Sequence, residues 1–470
     1  MESKSKSHLL KIALFATGFA GIVAEYTLST LASYFLGNQL LQWTLIISIM
    51  MFSMGLGSQL SKFFDKKLLE TFLVLEFLLS IFSSFSAILV YMVAGTSELT
   101  WVLVYALSII VGMLIGMEIP LVTRINEQFQ SLRENISSVM AVDYFGSLLG
   151  GGFFAFIGIP YLGMTYTPFV LGTINFLVAV LLFFRFKSHI QKFRVFQFLA
   201  LAVVVILGMG LFFAEPIIQY GEQSRYKEKV IYQNQSKYQK IVMTQWKNEY
   251  WLFINGNQQL STLDEWLYHE PLVHPVMKLA NGPKNILILG GGDGCAVREV
   301  LKYSSVEKIT LVDLDPQMTK IGKTHPVLKK LNNGALDNEK LTIINQDGFQ
   351  FLAQTKEYYD VIMVDLPDPK TVDLSKLYSK EFYQLCYQQL RTNGVIITQA
   401  GSPQFATKAF CCIDLSMQAA NFQTAPIHNQ ILTLGEWGFV IGHKSLPKDK
   451  LLSTLRSLEF KNIKTRWLNN

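Results

Sequence analysis

The sequence predicts two fold classes in one chain. An N-terminal α-helical transmembrane bundle comes first, followed by a doubly wound, Rossmann-like α/β domain that a small β unit precedes. Three observations predict this. Half of the 470 residues are hydrophobic and only 16% are charged, where soluble domains carry about a quarter. Nearly all of the apolar excess lies before residue 215. Beyond it, short β-branched runs alternate with helical patterns and turn signals. The expected domains are 1–215, a multi-pass bundle; 216–284, a linker and small β unit; and 285–470, the α/β domain.

Apolar stretches of bilayer-crossing length, about 20 residues each, occur at 9–31, 40–60, 70–94, 101–121, 144–163, 166–185 and 196–214. The first lacks a small-residue cleavage site and heads a series of similar spans, so it is not a signal peptide. Glu25, Glu76 and Glu118 stand inside spans, where an unpaired charge costs several kcal/mol. They read either as interhelical hydrogen-bond partners or as an ion or polyamine path. The small residues of "GSLLGGGFF" (146–154) allow close helix packing. Lys4, Lys6, Lys11, Lys62, Lys66, Lys67, Arg124, Arg133, Lys187, Lys192 and Arg194 mark alternate connections. The positive-inside rule puts them in the cytoplasm. Seven crossings would then leave the C-terminal half outside, against the cytoplasmic location that its chemistry suggests.

In the C-terminal half, "KIVMTQW" (240–246) and "YWLFING" (250–256) read as strands of the β unit, with a turn at "NGNQ" (255–258). Buried strands are expected at 285–289, 308–315, 341–347, 359–365 and 394–400, with a helix at 296–303. Apolar strands separated by helices imply a parallel sheet covered on both faces, which binds ligands beyond its C-terminal strand ends. The polar residues of interest all fall at such ends. "GGGDG" (290–294) lets backbone approach a ligand, yet it carries Asp293. Asp313 ends the second strand as an acceptor for ribose hydroxyls. Asp347, before Gly348, is placed to accept from an adenine amine. Asp365 and Asp368 follow in "DLPDP". Any one of them is equally readable as a helix cap; together they describe an acidic nucleoside site.

Paired carboxylates raise each other's pKa unless a cation lies between them. No His or Cys cluster has metal-ligand spacing, although an oxygen-only site stays open. An organic polycation satisfies the same carboxylates, and Asp293 would repel the carboxylate of intact S-adenosylmethionine. The net charge of +6 is largely spent on the connections between spans, and no basic stretch interleaved with aromatics points to nucleic acid. The cysteines Cys295, Cys386, Cys411 and Cys412 have no disulfide framework and fit a reducing compartment.

"ILILGGGDGCAVREVLKY", "YDVIMVDLPDP" and "LDEWLYHEPLVHP" resemble the polyamine aminopropyltransferases, the spermidine synthases, over roughly residues 225–445. The N-terminal spans, with "GMEIPLVTR" (116–124) and "LGEWGF" (434–439), resemble the membrane-bound bacterial branch of that family. The resemblance implies transfer of an aminopropyl group from decarboxylated S-adenosylmethionine, a co-substrate, to putrescine, with no cofactor and no metal. It implies Asp365 as general base and Asp368 as holder of the acceptor amine. Gln239 would contact the methylthioadenosine part. Tyr268 and His269 would line the amine channel, and Gln399 would face the amine. Asp293 would hold an ammonium, Asp313 the ribose, and Asp347 with Gly348 the adenine. A homodimer or homotetramer at the cell membrane is also implied.

The chain departs from the family pattern in three places. Leu366 and Pro367 stand where small polar residues are usual, "KTVDLSK" (370–376) replaces a Gly-Pro, and Glu436 and Trp437 replace a late tyrosine. These leave the acceptor open among putrescine, cadaverine, agmatine and longer amines. His274 and His325 read as structural. Two rival functions remain at this stage: a methyltransferase using intact S-adenosylmethionine, and a membrane polyamine sensor or transporter with a non-catalytic adenosyl-binding domain.

Overall fold

The computed structural model describes residues 2–94 and 97–468; Met1, Gly95, Thr96, Asn469 and Asn470 lie outside the described residues, as does the side chain of the expected orientation marker Lys4. The chain divides into two compact units, residues 1–229 and 230–470.

The first unit is helical: α1 (Glu2–Leu36), α2 (Gln39–Leu60), α3 (Leu68–Met92), α4 (Ser97–Asn126), α5 (Leu132–Phe153), α6 (Gly163–Arg185) and α7 (Phe193–Ser224). Nine residues in π-helical geometry, Phe154–Leu162, join α5 to α6. Six helical stretches are long and apolar enough to cross a membrane, the run Leu132–Arg185 counting as one. Packing shows that this run folds back on itself. Along α1 and α5, Gly18 faces Asp143, Gly150 faces Phe19 and Ile22, and Gly151 faces Tyr26, so these two helices run in parallel. Helix α6 runs the other way: Lys6 at the start of α1 reaches Phe186 just past the end of α6, and Phe77 and Phe85 of α3 meet Phe176 and Phe169 in reverse order. The reversal is made at Gly163, whose φ of 63° is left-handed and suits a residue without Cβ.

The expected end of the bundle at residue 215 is corrected by α7, which continues to Ser224. Glu215 and Pro216 look like a stop signal in sequence, but a proline inside a helix removes one hydrogen bond without ending it where neighbours hold the helix. Gly221 packs on the backbone of Tyr91, and at the far end Tyr34 hydrogen bonds to Glu222 while the Arg225 guanidinium stacks 3.9 Å over the Tyr34 ring. The end of α7 thus meets the end of α1, remote from Lys6 and Lys187.

The second unit opens with a four-stranded sheet in the order β1-β2-β3-β4, formed by β1 (Lys229–Gln235), β2 (Lys240–Trp246), β3 (Glu249–Ile254) and β4 (Asn257–Ser261). Asn255 and Gly256, with φ of 49° and 78°, make the tight turn between β3 and β4. Helix α8 (Trp266–Leu279) leads into the larger sheet. Its strands are β5 (Asn285–Gly290), β6 (Lys308–Asp313), β7 (Leu341–Asn345), β8 (Tyr359–Asp365), β9 (Leu390–Gly401), β10 (Gln423–Ile431) and β11 (Gly435–His443), in the order β10-β11-β9-β8-β5-β6-β7. Strands β5 to β9 are parallel. The last two form an antiparallel hairpin on one edge, which the expectation of a purely parallel sheet missed. Only Leu432–Leu434 connect them, far fewer residues than a parallel crossover needs. Both faces of the central strands are buried, with Ile286, Ile288 and Met363 on one side and Leu287, Leu289 and Val364 on the other.

Candidate active site

The sheet order places the ends of β5, β6 and β8 side by side. Gly290 pairs with Asp365 in the β5–β8 register, and Asp313 pairs with Asn345 in the β6–β7 register. Gly290 and Gly291 have φ of 84° and 66°, and the Gly291 N–H donates to the Asp365 carbonyl at 3.1 Å. A Cβ at Gly290 would run into that same carbonyl, and one at Gly292 would lie 2.6 Å from Asp313 Oδ2. The glycines are therefore imposed by contact between the loop and two of the acidic strand ends.

Asp365 receives a 2.7 Å hydrogen bond from the Tyr268 hydroxyl. Burial pushes its pKa up to about 6, against the pull of His269 and with the push of Asp293. Asp293 is fixed by accepting from the Cys295 N–H at 2.8 Å. His269 Nε2 lies 3.8 Å from Asp293. Its Nδ1 lies 2.9 Å from both the carbonyl and Oε2 of Glu265. Burial disfavours the imidazolium, but the hydrogen bond to Glu265 and the charges of Asp293, Glu265 and Asp365 outweigh it and raise the pKa to about 9. Ligand atoms of His269, Asp293 and Asp365 all lie within 4.8 Å of one another, a spacing that accommodates a small cation or an ammonium group.

Asp313 accepts from the Asp315 N–H at 2.8 Å, and burial lifts its pKa to about 7. Asp315 binds the Ser236 hydroxyl at 2.7 Å, and Ser236 is bonded to the backbone of Gln239 in both directions. Gln239 is thereby fastened to the turn that follows Asp313. Asp347 caps the helix Gly348–Gln354 through the Gln350 N–H and is paired with Lys376 at 2.8 Å. Burial opposes its charge, yet Lys376 and the backbone donors hold its pKa below the ordinary value. The cap and a ligand contact are compatible here, because both use the same ionised carboxylate.

Gln399 sits differently from an amine-facing residue. Its side-chain amide donates to the Leu366 carbonyl at 2.7 Å and to the Tyr378 hydroxyl at 2.6 Å. Its Oε1 accepts from the Gly401 N–H. Tyr378 in turn donates to the carbonyls of Leu366 and Pro367. The pair braces the backbone between Asp365 and Asp368, and the amide lies 3.5 Å from Asp368. Glu436 pairs with exposed His428, while Trp437 packs with Tyr268 against the sheet core. His274 is bonded to Glu299 and Tyr303.

Sequence reasoning missed Glu265, Arg298 and Tyr378. Arg298 grips both Glu265 oxygens at 2.9 Å and so orients the carboxylate that orients His269. The four-residue spacing of Glu265, which precedes α8, and His269 in its first turn was the available signal; Arg298, 33 residues from Glu265, gave none.

A parallel Rossmann-like sheet with a glycine loop and acidic groups at adjoining strand ends is the architecture of nucleoside-binding α/β enzymes. The model of the spermine/spermidine synthase domain matches residues 265–450. A polyamine aminopropyltransferase of Leptospira interrogans is 37% identical over 96% of this chain and 92% of its own. Polyamine aminopropyltransferase 2 of Aquifex aeolicus is 42% identical over 94% of this chain and 88% of its own. Among solved structures, a spermidine synthase in complex with the transition-state analogue AdoDATO is 29% identical, covering 51% of this chain and 82% of that one, with a TM-score of 0.47. The chain belongs to the polyamine aminopropyltransferase family.

Proposed function

We propose that the protein transfers the aminopropyl group of decarboxylated S-adenosylmethionine to putrescine, forming spermidine and 5′-methylthioadenosine. The observation that carries this reading is Asp365, half-buried at the end of β8, hydrogen-bonded to Tyr268 and facing Asp293 and His269. The amine nitrogen attacks the carbon next to the sulfonium, the C–S bond breaks with its electrons going to sulfur, and the amine proton passes to Asp365. A carboxyl of pKa about 6 is ionised at neutral pH and still basic enough to assist. The sulfonium is a good leaving group, so no acid is required. Asp293 and Asp368 hold the ammonium ends, and alignment supplies much of the rate.

In this reading Asp313 binds the ribose, Asp347 with Gly348 the adenine, and Gln239 the methylthio side. Tyr268 lines the amine channel. His269, held as an imidazolium, positions Asp293 and Asp365 rather than meeting the amine itself. Gln399 shapes the Asp368 loop from behind. The acidic loop disfavours intact S-adenosylmethionine and with it the methyltransferase alternative. The reaction uses no metal: the carboxylates Asp293 and Asp365, which His269 positions, are the seat of an ammonium.

We further read the helical unit, residues 1–224, as spanning the membrane seven times, α5 and α6 each crossing once. Lys6, Lys62, Lys67, Arg124, Arg133 and Lys187 share one end, which faces the cytoplasm by the positive-inside rule. The chain leaves the bundle at the other end, against the cytoplasmic location that the chemistry of the second unit suggests, and the labelling of its exposed cysteines decides between the two. The activity test follows methylthioadenosine release from purified full-length protein with decarboxylated S-adenosylmethionine and a panel of amines. Amine-dependent release that survives EDTA and disappears in Asp365→Asn supports the reading. Release without amine, or loss on chelation, overturns it.

A further inference from the structure

Inside the helical unit, four helices bring polar side chains to one place. Glu76 of α3 and Glu118 of α4 are fully buried, and Asp143 of α5 nearly so. Glu118 is within electrostatic reach of both others. Thr17 of α1 lies 3.3 Å from Glu76 Oε1, but its one hydroxyl hydrogen is shared with the Ala13 carbonyl at 3.0 Å. The remaining oxygens are orphaned: Oε1 and Oε2 of Glu118 and Oε2 of Glu76 have no hydrogen-bond partner. Among the described residues, no Lys, Arg or His acts on Glu76, Glu118 or Asp143. By helix rise, Thr17 and Glu118 sit roughly 9 Å inward from Lys11 and Arg124.

Such a cluster is not explained by packing. Most other orphaned atoms in the same bundle are single hydroxyl or amide oxygens, such as those of Ser29, Ser53, Ser84 and Asn175, whereas among the described residues Glu118 alone leaves both oxygens of a buried carboxyl without a partner. An orphaned carboxylate in an apolar interior costs several kcal/mol, and Glu76 and Asp143, from two neighbouring helices, lie within electrostatic reach of Glu118. A protonated primary amine offers three N–H donors and one positive charge, and three orphaned oxygens await donors. We propose that Glu118, with Glu76 and Asp143, forms a binding site for a primary ammonium group inside the helical unit. Its ligand class is an aliphatic amine with a compact –NH₃⁺ head. The inference stands on the helical unit alone and does not require the aminopropyl transfer proposed above.

The test is equilibrium dialysis of radiolabelled putrescine against full-length protein in nanodiscs, run on wild type, Glu118→Gln, Glu76→Gln and Asp368→Asn. Methylthioadenosine release is measured in parallel. The expected result is a class of bound putrescine that persists in Asp368→Asn. It weakens about tenfold or more in Glu118→Gln, and the Glu118→Gln release rate is unchanged. If Glu118→Gln does not fold, Glu76→Gln and the charge-preserving Glu118→Asp carry the test, the first losing and the second retaining this class. Putrescine binding that disappears entirely in Asp368→Asn, or that is untouched by both glutamine variants, overturns the site. So does binding of sodium at Glu118 with no competition from putrescine.

Discussion

Both units bury carboxylates, and they do so on opposite terms. In the second unit the buried acids have donors. Glu265 holds His269 and Arg298, Glu299 holds His274, Arg298 and Lys302, and Glu270 takes the N–H groups of Arg466, Trp467 and Leu468. In the helical unit Glu118 has none. The difference separates two uses of one functional group. A carboxylate with its donors in place is scaffold, and breaking it costs stability. One left without donors contributes nothing to the fold and is kept for something that arrives. Asp365 stands between these cases, with one donor from Tyr268 and one face open to Asp293 and His269.

The largest expected effect breaks the intermediate case. Asp365→Asn preserves shape but removes the base, and transfer falls by about 10²- to 10⁴-fold with the thermal midpoint nearly unchanged, as methylthioadenosine release and a melting curve would show. Next comes a scaffold partner. Arg298→Ala leaves Glu265 and Glu299 short of a buried cation and destabilises the second unit by about 3–5 kcal/mol, read as faster amide exchange along α8 in the full-length protein.

A pH series sharpens the comparison. Transfer falls about tenfold per unit below pH 6 as Asp365 takes up its proton. Stability behaves differently. The His269 pKa is raised from 6.5 to about 9, so its contribution is full below 6.5 and is lost as pH rises through 9. The Glu265 pKa is lowered from 4.5 to about 2, so its contribution is present above 4.5 and is lost as pH falls through 2. Activity should therefore fail on the acid side while the second unit is still folded. The smallest effect belongs to an exposed pair: Lys284→Ala, which removes the 2.6 Å contact with Glu307, changes stability by no more than about 1 kcal/mol.

How legible was this in the sequence? The parallel strands and their acidic ends could be read directly, because burial on both faces demands unbroken apolar runs and the next residue must leave the core. The spans of the helical unit were equally plain. What escaped depends on distant pairings. The β10–β11 hairpin alternates weakly, since it packs on an edge. Arg298 and Tyr378 gain their roles from partners that only the fold brings near. Gln399 was placed correctly on its strand, yet its amide turns to the loop backbone, which no local pattern encodes. The glutamates of the spans were visible, but only the packed bundle distinguishes those with a donor from those without.

The cysteines carry one more consequence. Cys295 and Cys386 are buried, and burial pushes both thiols up, whereas Cys411 and Cys412 are exposed on the helix Thr407–Ala419. The native chain therefore comes with its own reporter: a maleimide reagent at neutral pH will mark this adjacent pair and leave the inner two untouched. Applied to intact cells in membrane-impermeant form, the same reagent reads which compartment the second unit faces, with no engineered tag. Labelling before lysis places it outside, and labelling only after lysis places it within.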